Sequence, residues 1–453
     1  MTVSPSRQAA FNTLLRIDKE RSYADILIDR ELDSGQLAGA DRGLFTELVY
    51  GTLRRQGTLD HILSIFSSTP LAKLERTVLL ILRLALYQMF FLDRIPVSAA
   101  VNESVNLAKL TAPKASGFVN AVLRSAERGR EKISWPDRDL DLAGYLAARY
   151  SHPKWIVSSW LEQLGGEEAE RLADAMSQQP PLTIRVNSLK TDRTALIKTF
   201  ADSGITAEPS QFSPFGVRIT SSTSVAKLPA FGDGLFSVQD EASQLATLLL
   251  APKPGEQILD LCAAPGGKCS FIAELTGDAA FITACDRHPR RVEQIVATAA
   301  RLGISSITTQ AVDASKPLPE LAAPLYDRIL VDAPCSGIGV IHRNPEGKWW
   351  KQPSDLEGLA AAQGRILESA AVRLKPGGVL LYSTCSTTSE ENEAVMENFL
   401  KLHPDFVVEP VSAAMPELSA METPAGFFRS WPHRGGLDGF FAARLVKRDE
   451  SVS

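Results

Sequence analysis

Cys335 and Cys385 are the residues with the most chemistry to offer. Each follows an apolar run that reads as a buried strand, over 327–332 and over 378–384. The first run ends in Asp332-Ala333-Pro334-Cys335-Ser336-Gly337, the second in Ser383-Thr384-Cys385-Ser386. Both thiols therefore sit in turns of small residues, where a thiol can be reached and its reactivity tuned. In a parallel, doubly wound sheet the carboxyl ends of the strands open on one crevice, so the two cysteines are expected to share it. A thiol in such a crevice points to covalent catalysis. One metal-free reaction suits a thiolate beside a nucleoside-type cofactor, the methylation of a pyrimidine at carbon 5. Carbon 5 is too weak a nucleophile by itself, and a thiolate added to carbon 6 turns it into an enamine-like one. The residues alone do not say which cysteine attacks. Cys269 and Cys285 fall inside a predicted helix and strand, and are expected to be buried structural thiols.

The second chemical stretch is Cys262-Ala263-Ala264-Pro265-Gly266-Gly267-Lys268. An apolar strand at 258–262 leads into it and a helix at 268–275 leaves it. A strand, a Gly-rich turn and a helix N-terminus make a site for an anionic or nucleoside-like ligand, because free backbone N–H groups point at it. The two glycines let a ligand approach the backbone closely. Asp286 ends the next strand about 20 residues beyond the turn, the place of the acid that hydrogen-bonds a ribose diol in doubly wound folds. Asp260, Asp313 and Asp332 end or follow the first, third and fourth strands. A G-x-G-x-x-G fingerprint is absent. A phosphate-binding P-loop would need Gly at position 262 and Ser or Thr after Lys268, where this chain has Cys262 and Cys269.

The elements that must position these residues are legible in outline. Strands at 258–262, 280–285, 306–312, 327–332, 378–384 and 440–446 alternate with helices at 268–275, 289–302, 355–374 and 390–401, which predicts a parallel α/β sheet. Pro376-Gly377-Gly378 reads as the turn into the fifth strand. Before this domain lies a small α+β module: a strand at 182–187, a helix at 193–203, and short strands at 206–209, 216–220 and 236–239. Two helices, 155–164 and 167–176, precede it. Residues 1–130 show helical periodicity throughout, with Pro70 and Pro96 as punctuation. The division expected is 1–135 helical, 145–237 helical plus α+β, and 238–448 catalytic.

Charge is unevenly spread. Residues 1–150 hold 20 Lys+Arg against 17 Asp+Glu, and the remainder 28 against 36. Contact with a nucleic acid must then come from local patches, and Arg54, Arg55, Arg83, Arg124, Arg128 and Arg130 could form one. The N-terminus lacks a signal-peptide core. The most apolar stretch, 78–92, is interrupted by Arg83 and too short to span a bilayer. The five cysteines show no C-x-x-C pairing and no His at zinc spacing. A soluble chain in a reducing, cytoplasmic compartment is expected, without a metal and acting as a monomer.

These motifs resemble the Nol/Nop/Sun family of RNA cytosine-5 methyltransferases, in particular its bacterial RsmB (Sun, Fmu) type. The matching stretches are VQDEASQLA (238–246), LDLCAAPGGK (259–268), DAPCSGIG (332–339), LKPGGVLLYSTCS (374–386) and DGFFAARL (438–445). LRLALYQMFFLDRIPVSAAVNESV (82–105) and GFVNAVLR (117–124) are similar to a NusB-like domain. The resemblance implies an all-α NusB-like RNA-binding domain, an RNA-binding-like α+β module and a Rossmann-like methyltransferase domain. It implies that Cys262, Ala263, Ala264, Pro265, Gly266, Gly267, Lys268, Asp286 and Asp313 hold S-adenosyl-L-methionine. It makes Cys385 the nucleophile and Cys335 the group that assists product release. It places Asp332 between cofactor and cytosine, with Lys268 near both. The implied substrate is a cytosine in small-subunit (16S) ribosomal RNA. A transfer-RNA methyltransferase and a non-catalytic RNA-binding or ribosome assembly factor are the rival readings. His342-Arg343 and Pro345-Glu346 depart from the family's Arg-Arg and Pro-Asp, which bears on RNA contact and not on the chemistry.

Overall fold

The computed structural model describes residues 3–221, 228–318, 321 and 323–449. The chain forms two compact units, Met1–Gln179 with Ile341–Lys351, and Pro180–Val340 with Gln352–Ser453.

The first unit is helical, as its periodicity predicts. Helices Pro5–Glu20, Ala24–Asp33, Ala40–Arg54, Gln56–Phe66, Arg76–Phe91, Val97–Thr111 and Ser116–Arg128 enclose one apolar core. Arg76–Phe91 is buried on nearly every side, by Val78, Leu80, Ile81, Leu82, Leu84, Ala85 and Leu86, and is the central helix. Gln56–Phe66 escapes a sequence reading because no Gly or Pro separates it from the helix before. The direction changes at the single residue Arg55, at φ −96° and ψ 9°. Helices Leu142–Tyr150, Lys154–Leu164 and Gly166–Ser177 lie in this compact unit, whose first segment ends at Gln179.

A second difference concerns Ile341–Lys351, which begins six residues after Cys335 yet is enclosed by the helical unit. Glu346 accepts a hydrogen bond from Ala24 N at the start of a helix (3.0 Å). Lys348 is fully buried and donates to Arg54 O (3.2 Å), and burial drives its ammonium well below its usual range. His342 is buried beside Met176. The departures at His342 and Glu346 thus lie in a packed interior.

In the second unit, β1 (Leu182–Val186), β2 (Ala207–Pro209), β3 (Gly216–Ile219) and β4 (Phe236–Val238) make an antiparallel sheet in the order β2-β3-β1-β4. Helix Arg193–Asp202 packs on it through Leu196 and Phe200. The larger sheet contains β5 (Gln257–Asp260), β6 (Phe281–Asp286), β7 (Ile307–Ala311), β8 (Tyr326–Asp332), β9 (Leu374–Thr384), β10 (Phe406–Val408), β11 (Phe428–Ser430) and β12 (Phe440–Lys447). Its order is β10-β12-β9-β8-β5-β6-β7, with β11 also on β12. Strands β5 to β9 pair in parallel, and β12 adds antiparallel to β9. The chain runs outward one way from β5 through β6 to β7 and the other way from β8 to β9, so the topological switch point lies between β5 and β8. Pro376–Gly378 proves to be an interruption within β9 and not a turn before it, because Leu374 already pairs with Tyr326 before Val379 pairs with Arg328. Strands β10 and β11, three residues each, are too short to show a period.

Candidate active site

The carboxyl ends of β5 and β8 place Asp260 and Asp332 at the switch point. Asp332 Oδ2 accepts from Lys268 Nζ (2.7 Å) and Asp332 Oδ1 from Ser383 Oγ at the end of β9 (2.9 Å). Lys268, second residue of helix Gly267–Leu275, also lies over the ring of Phe440 on β12 (5.1 Å). One lysine therefore ties the small-residue turn to the strand carrying the first thiol loop.

The turn itself is closed by its own backbone. Gly266 N donates to Ala263 O (2.8 Å), and Ala263 N to Cys285 O on β6 (2.8 Å). Gly266 has φ +106°, a conformation that favours glycine. Its Cβ would meet Thr298 and Ile295 of the next helix at 3.2–3.3 Å. Arg291 donates to Ala264 O (3.0 Å) and Thr298 to Pro265 O (2.8 Å). Asp286 ends β6, accepts from His288 N (3.0 Å) and has Arg291 at 3.4 Å. Asp313 follows β7 and accepts from Ser315 N and Oγ (3.2 and 2.6 Å), which hold its carboxylate below its usual range.

Asp260 is the electrostatic outlier. It is fully buried, and burial followed by the nearby Asp332 carboxylate pushes its pKa up to about 8. One oxygen accepts from Cys262 N (3.3 Å), while Oδ2 has no hydrogen-bond partner among the described residues. A buried polar atom left alone costs stability, and a polar ligand group is one way to satisfy it. Burial pushes the Cys262 thiol up as well. The acids, small residues and helix-terminal amides gathered here suit a cationic nucleoside ligand.

Cys335 Sγ and Cys385 Sγ lie 3.3 Å apart, and both are free thiols. Adjacent strand ends explain the meeting: Ala333 N donates to Ser383 O (2.9 Å), and Gly339 N to Cys385 O (2.9 Å). A Cβ on Gly339 would stand 1.9 Å from Gly439 O, so only glycine lets the first thiol loop pass between the second and β12. The Cys335 thiol is raised well above its usual range, first by its hydrogen bond with Cys385 and then by burial. Cys269 and Cys285 are buried away from solvent, as expected.

Residues that motif reasoning passed over hold the two loops together. Glu391 is fully buried, and its carboxylate accepts from Ser336 N (2.7 Å), Ser336 Oγ (2.5 Å), Ser386 Oγ (2.6 Å), Thr388 Oγ1 (3.0 Å) and Gln363 Nε2 (3.1 Å). Asn392 accepts from Thr384 Oγ1 (2.5 Å) and donates to Ser386 O (3.0 Å). Each hydroxyl-bearing neighbour of the thiols is thus bound to one of two adjacent side chains. The hydroxyl-rich run Ser386-Thr387-Thr388-Ser389 before Glu391 was the available signal; a helix expected from 390 masked it, whereas the helix starts at Glu393. Arg185 on β1 was missed as well. It is fully buried and binds Glu274 twice (3.0 and 2.6 Å), Gly267 O (2.7 Å), Ser270 Oγ (3.1 Å) and Gln239. It fastens the helix of the cofactor-type turn to the small sheet.

Three family models match the chain. They are 16S rRNA methyltransferase RsmB/F over residues 247–446, the NusB family over 4–128, and the ferredoxin-like domain of RsmF/B-like methyltransferases over 152–226. A probable ribosomal RNA small subunit methyltransferase B from Synechocystis sp. is 39% identical, covering 98% of this chain and 99% of its own length. One from Bacillus subtilis is 39% identical over 98% of both. The solved chain PH0851 aligns over 99% of this chain and 100% of its own, at 28% identity and a TM-score of 0.81. A methyltransferase homolog protein from Pyrococcus horikoshii, 30% identical, covers 67% of this chain and 97% of its own length at a TM-score of 0.56. The family models thus match the helical, small α+β and Rossmann-like parts expected from the sequence.

Proposed function

The chain belongs to the RsmB/F family of 16S rRNA methyltransferases, and within it we propose that this enzyme methylates carbon 5 of a cytosine in small-subunit ribosomal RNA through a covalent adduct on Cys385. The observation that carries the reading is the pair of free thiols 3.3 Å apart at the switch-point side of the sheet, beside Asp332. S-adenosyl-L-methionine, when bound, supplies the methyl group as an electrophile. Cys262 to Lys268 would hold it with their backbone, Asp286 with its carboxylate at the ribose hydroxyls, and Asp313 beyond β7. Lys268 orients Asp332, whose remaining lone pairs are free to accept from the amino group of the cytosine.

The Cys385 sulfur bonds to carbon 6, and the displaced π electrons make carbon 5 nucleophilic. After carbon 5 has gained the methyl group, its proton must leave and the electrons then expel Cys385 as thiolate. Cys335 suits that proton. While Cys385 is free, its hydrogen bond with Cys335 favours the protonated Cys335 thiol. Once Cys385 is a thioether that cause is gone, Cys335 gives up its own proton to solvent, and the resulting thiolate takes the carbon-5 proton as the electrons expel Cys385. The target cytosine must leave its stack to reach the thiols, which favours a single-stranded segment. Among the described residues no helix is long and apolar enough to cross a membrane, consistent with action in the cytoplasm where ribosomal RNA is processed.

The test is methyl transfer from labelled donor to unmodified small-subunit rRNA and to transfer RNA, with the product nucleoside identified by mass spectrometry. Label in 5-methylcytidine of the ribosomal RNA alone is the expected result. Label only in transfer RNA would move the substrate, and binding without any label would make the protein an assembly factor.

A further inference from the structure

The helical unit contains a cavity of about 330 Å³ lined by residues of that unit alone. That size is at the small end of ligand pockets. Its walls include Arg55, Arg149, Phe91, Trp135, Tyr150 and Asp174.

Of the six arginines that the sequence offered as a basic face, two are paired with carboxylates and one is withdrawn from the surface. Arg83 is paired with Asp60 (2.7 Å), Arg124 with Glu127 (2.8 Å), and the Arg54 guanidinium is largely buried, its Nε without a partner among the described residues. Arg55 differs. Its guanidinium lies over the ring of Phe91 (5.3 Å) in the cavity wall, and Arg149 lies over Trp135 (5.3 Å). Among the described residues neither guanidinium has a hydrogen bond or an ion pair. Burial and the neighbouring Arg54 and Arg149 work against the charge of Arg55, and the one carboxylate in the wall, Asp174, offsets only part of this. Trp135 is fixed in place by stacking on His61 (5.0 Å, 17°), whose Nε2 contacts Ser134 O (2.8 Å).

Two unpaired guanidiniums among aromatic rings call for an occupant that is anionic at one end and flat and apolar at the other. A nucleotide is both: guanidinium forks match phosphate oxygens, and unstacked bases pack on aromatic rings and arginine planes. We propose that this cavity is an RNA subsite that takes one unstacked nucleotide, its phosphate on Arg55 and Arg149 and its base beside Trp135. The inference rests on the reading of the substrate as RNA, and it adds a holding site on residues that carry none of the chemistry.

The experiment uses the full chain and an unmodified small-subunit rRNA transcript containing 4-thiouridine. Irradiation, nuclease and trypsin should leave a nucleotide on the peptide of residues 133–138, which carries Trp135. Arg149→Ala, an exposed position, should raise the Kd for the transcript about tenfold and reduce the slope of log K against log salt by about 1. Trp135→Ala should raise Kd with the slope unchanged, and Trp135→Phe should restore most of the affinity; melting curves identify any variant that has lost its fold. Methyl transfer at saturating RNA should stay within about twofold of wild type in all three variants, since the thiols are untouched. Unchanged Kd and slope in the Arg55→Ala, Arg149→Ala double variant, with no adduct on residues 133–138, would overturn the proposal. So would an equal loss of affinity for polyglutamate, which would mark an acidic-protein surface. If the wild type binds and crosslinks at Trp135 but methylates no RNA, the catalytic reading fails while the subsite stands.

Discussion

The cofactor-type turn and the thiol crevice are neighbours on one sheet but are held in opposite ways. The turn is contiguous: residues 262–268 close on themselves through Gly266 N and Ala263 O, and outside groups only buttress it. The crevice is assembled from loops 50 residues apart in sequence. The second loop carries the clamp, since its own Glu391 binds Ser386 and Thr388 within that loop and reaches across to Ser336 in the first. Damage to the turn should therefore appear as lost ligand affinity. Damage to the clamp should appear as misaligned thiols in an enzyme that still binds its cofactor.

The harshest test removes the thiols. Cys385→Ala should abolish methyl transfer and form no protein–RNA adduct, while Cys335→Ala should attack, methylate and stall before elimination. A complex that survives denaturing electrophoresis and vanishes on RNase treatment should then accumulate with Cys335→Ala only. The reverse pattern would exchange the two roles.

Next in size is Asp286→Ala, which should weaken S-adenosyl-L-methionine binding by about 1.5–3 kcal/mol, the range for a charged hydrogen bond. Titration calorimetry showing wild-type affinity would remove Asp286 from the cofactor site.

Glu391→Gln sharpens the contrast because it alters the clamp and leaves the turn intact. The amide puts a donor where several donors already converge, and one unsatisfied buried group costs about 1–3 kcal/mol. Melting temperature and kcat should both fall, with cofactor affinity unchanged. A drop in cofactor affinity equal to the drop in kcat would show that turn and crevice are one cooperative unit.

The smallest effect concerns pH. Asp260 is pushed up to about 8 by burial, so the folded chain holds a proton that the unfolded chain releases above the ordinary carboxylate range near 4. Its contribution to stability is fully present below about 4 and is lost as pH rises through about 8. Asp260→Asn should flatten that decline, seen in melting temperatures at pH 5 and pH 8.5. An unaltered slope in the variant would assign the decline to other groups.

The basic face read from the sequence was only partly right, for the same reason that the clamp was missed. Helical periodicity shows which arginines point outward, but not that Asp60 and Glu127 lie beside Arg83 and Arg124. Deleting residues 1–130 would not isolate RNA contact by this face. That change would strip the walls from Ile341–Lys351 and expose the buried Lys348 and Glu346.

What this sequence determined by itself is whatever depends on neighbouring residues. Apolar alternation placed β5 to β9 within a few residues, small residues and glycines marked the turn, and strand-end positions singled out Asp286, Asp332, Cys335 and Cys385. The topology of a parallel sheet then required the two thiols to face one crevice. Tertiary structure decided what depends on residues far apart in the chain. It set the 3.3 Å separation of the sulfurs, the choice of Glu391 as clamp and of Arg185 as fastener, and the burial of Ile341–Lys351 in the helical unit. The physical reason is that a buried polar side chain is defined by the partners that satisfy it. Glu391 and Arg185 look like ordinary surface charges until folding withdraws them from water and the hydrogen bonds of distant segments become their only solvent.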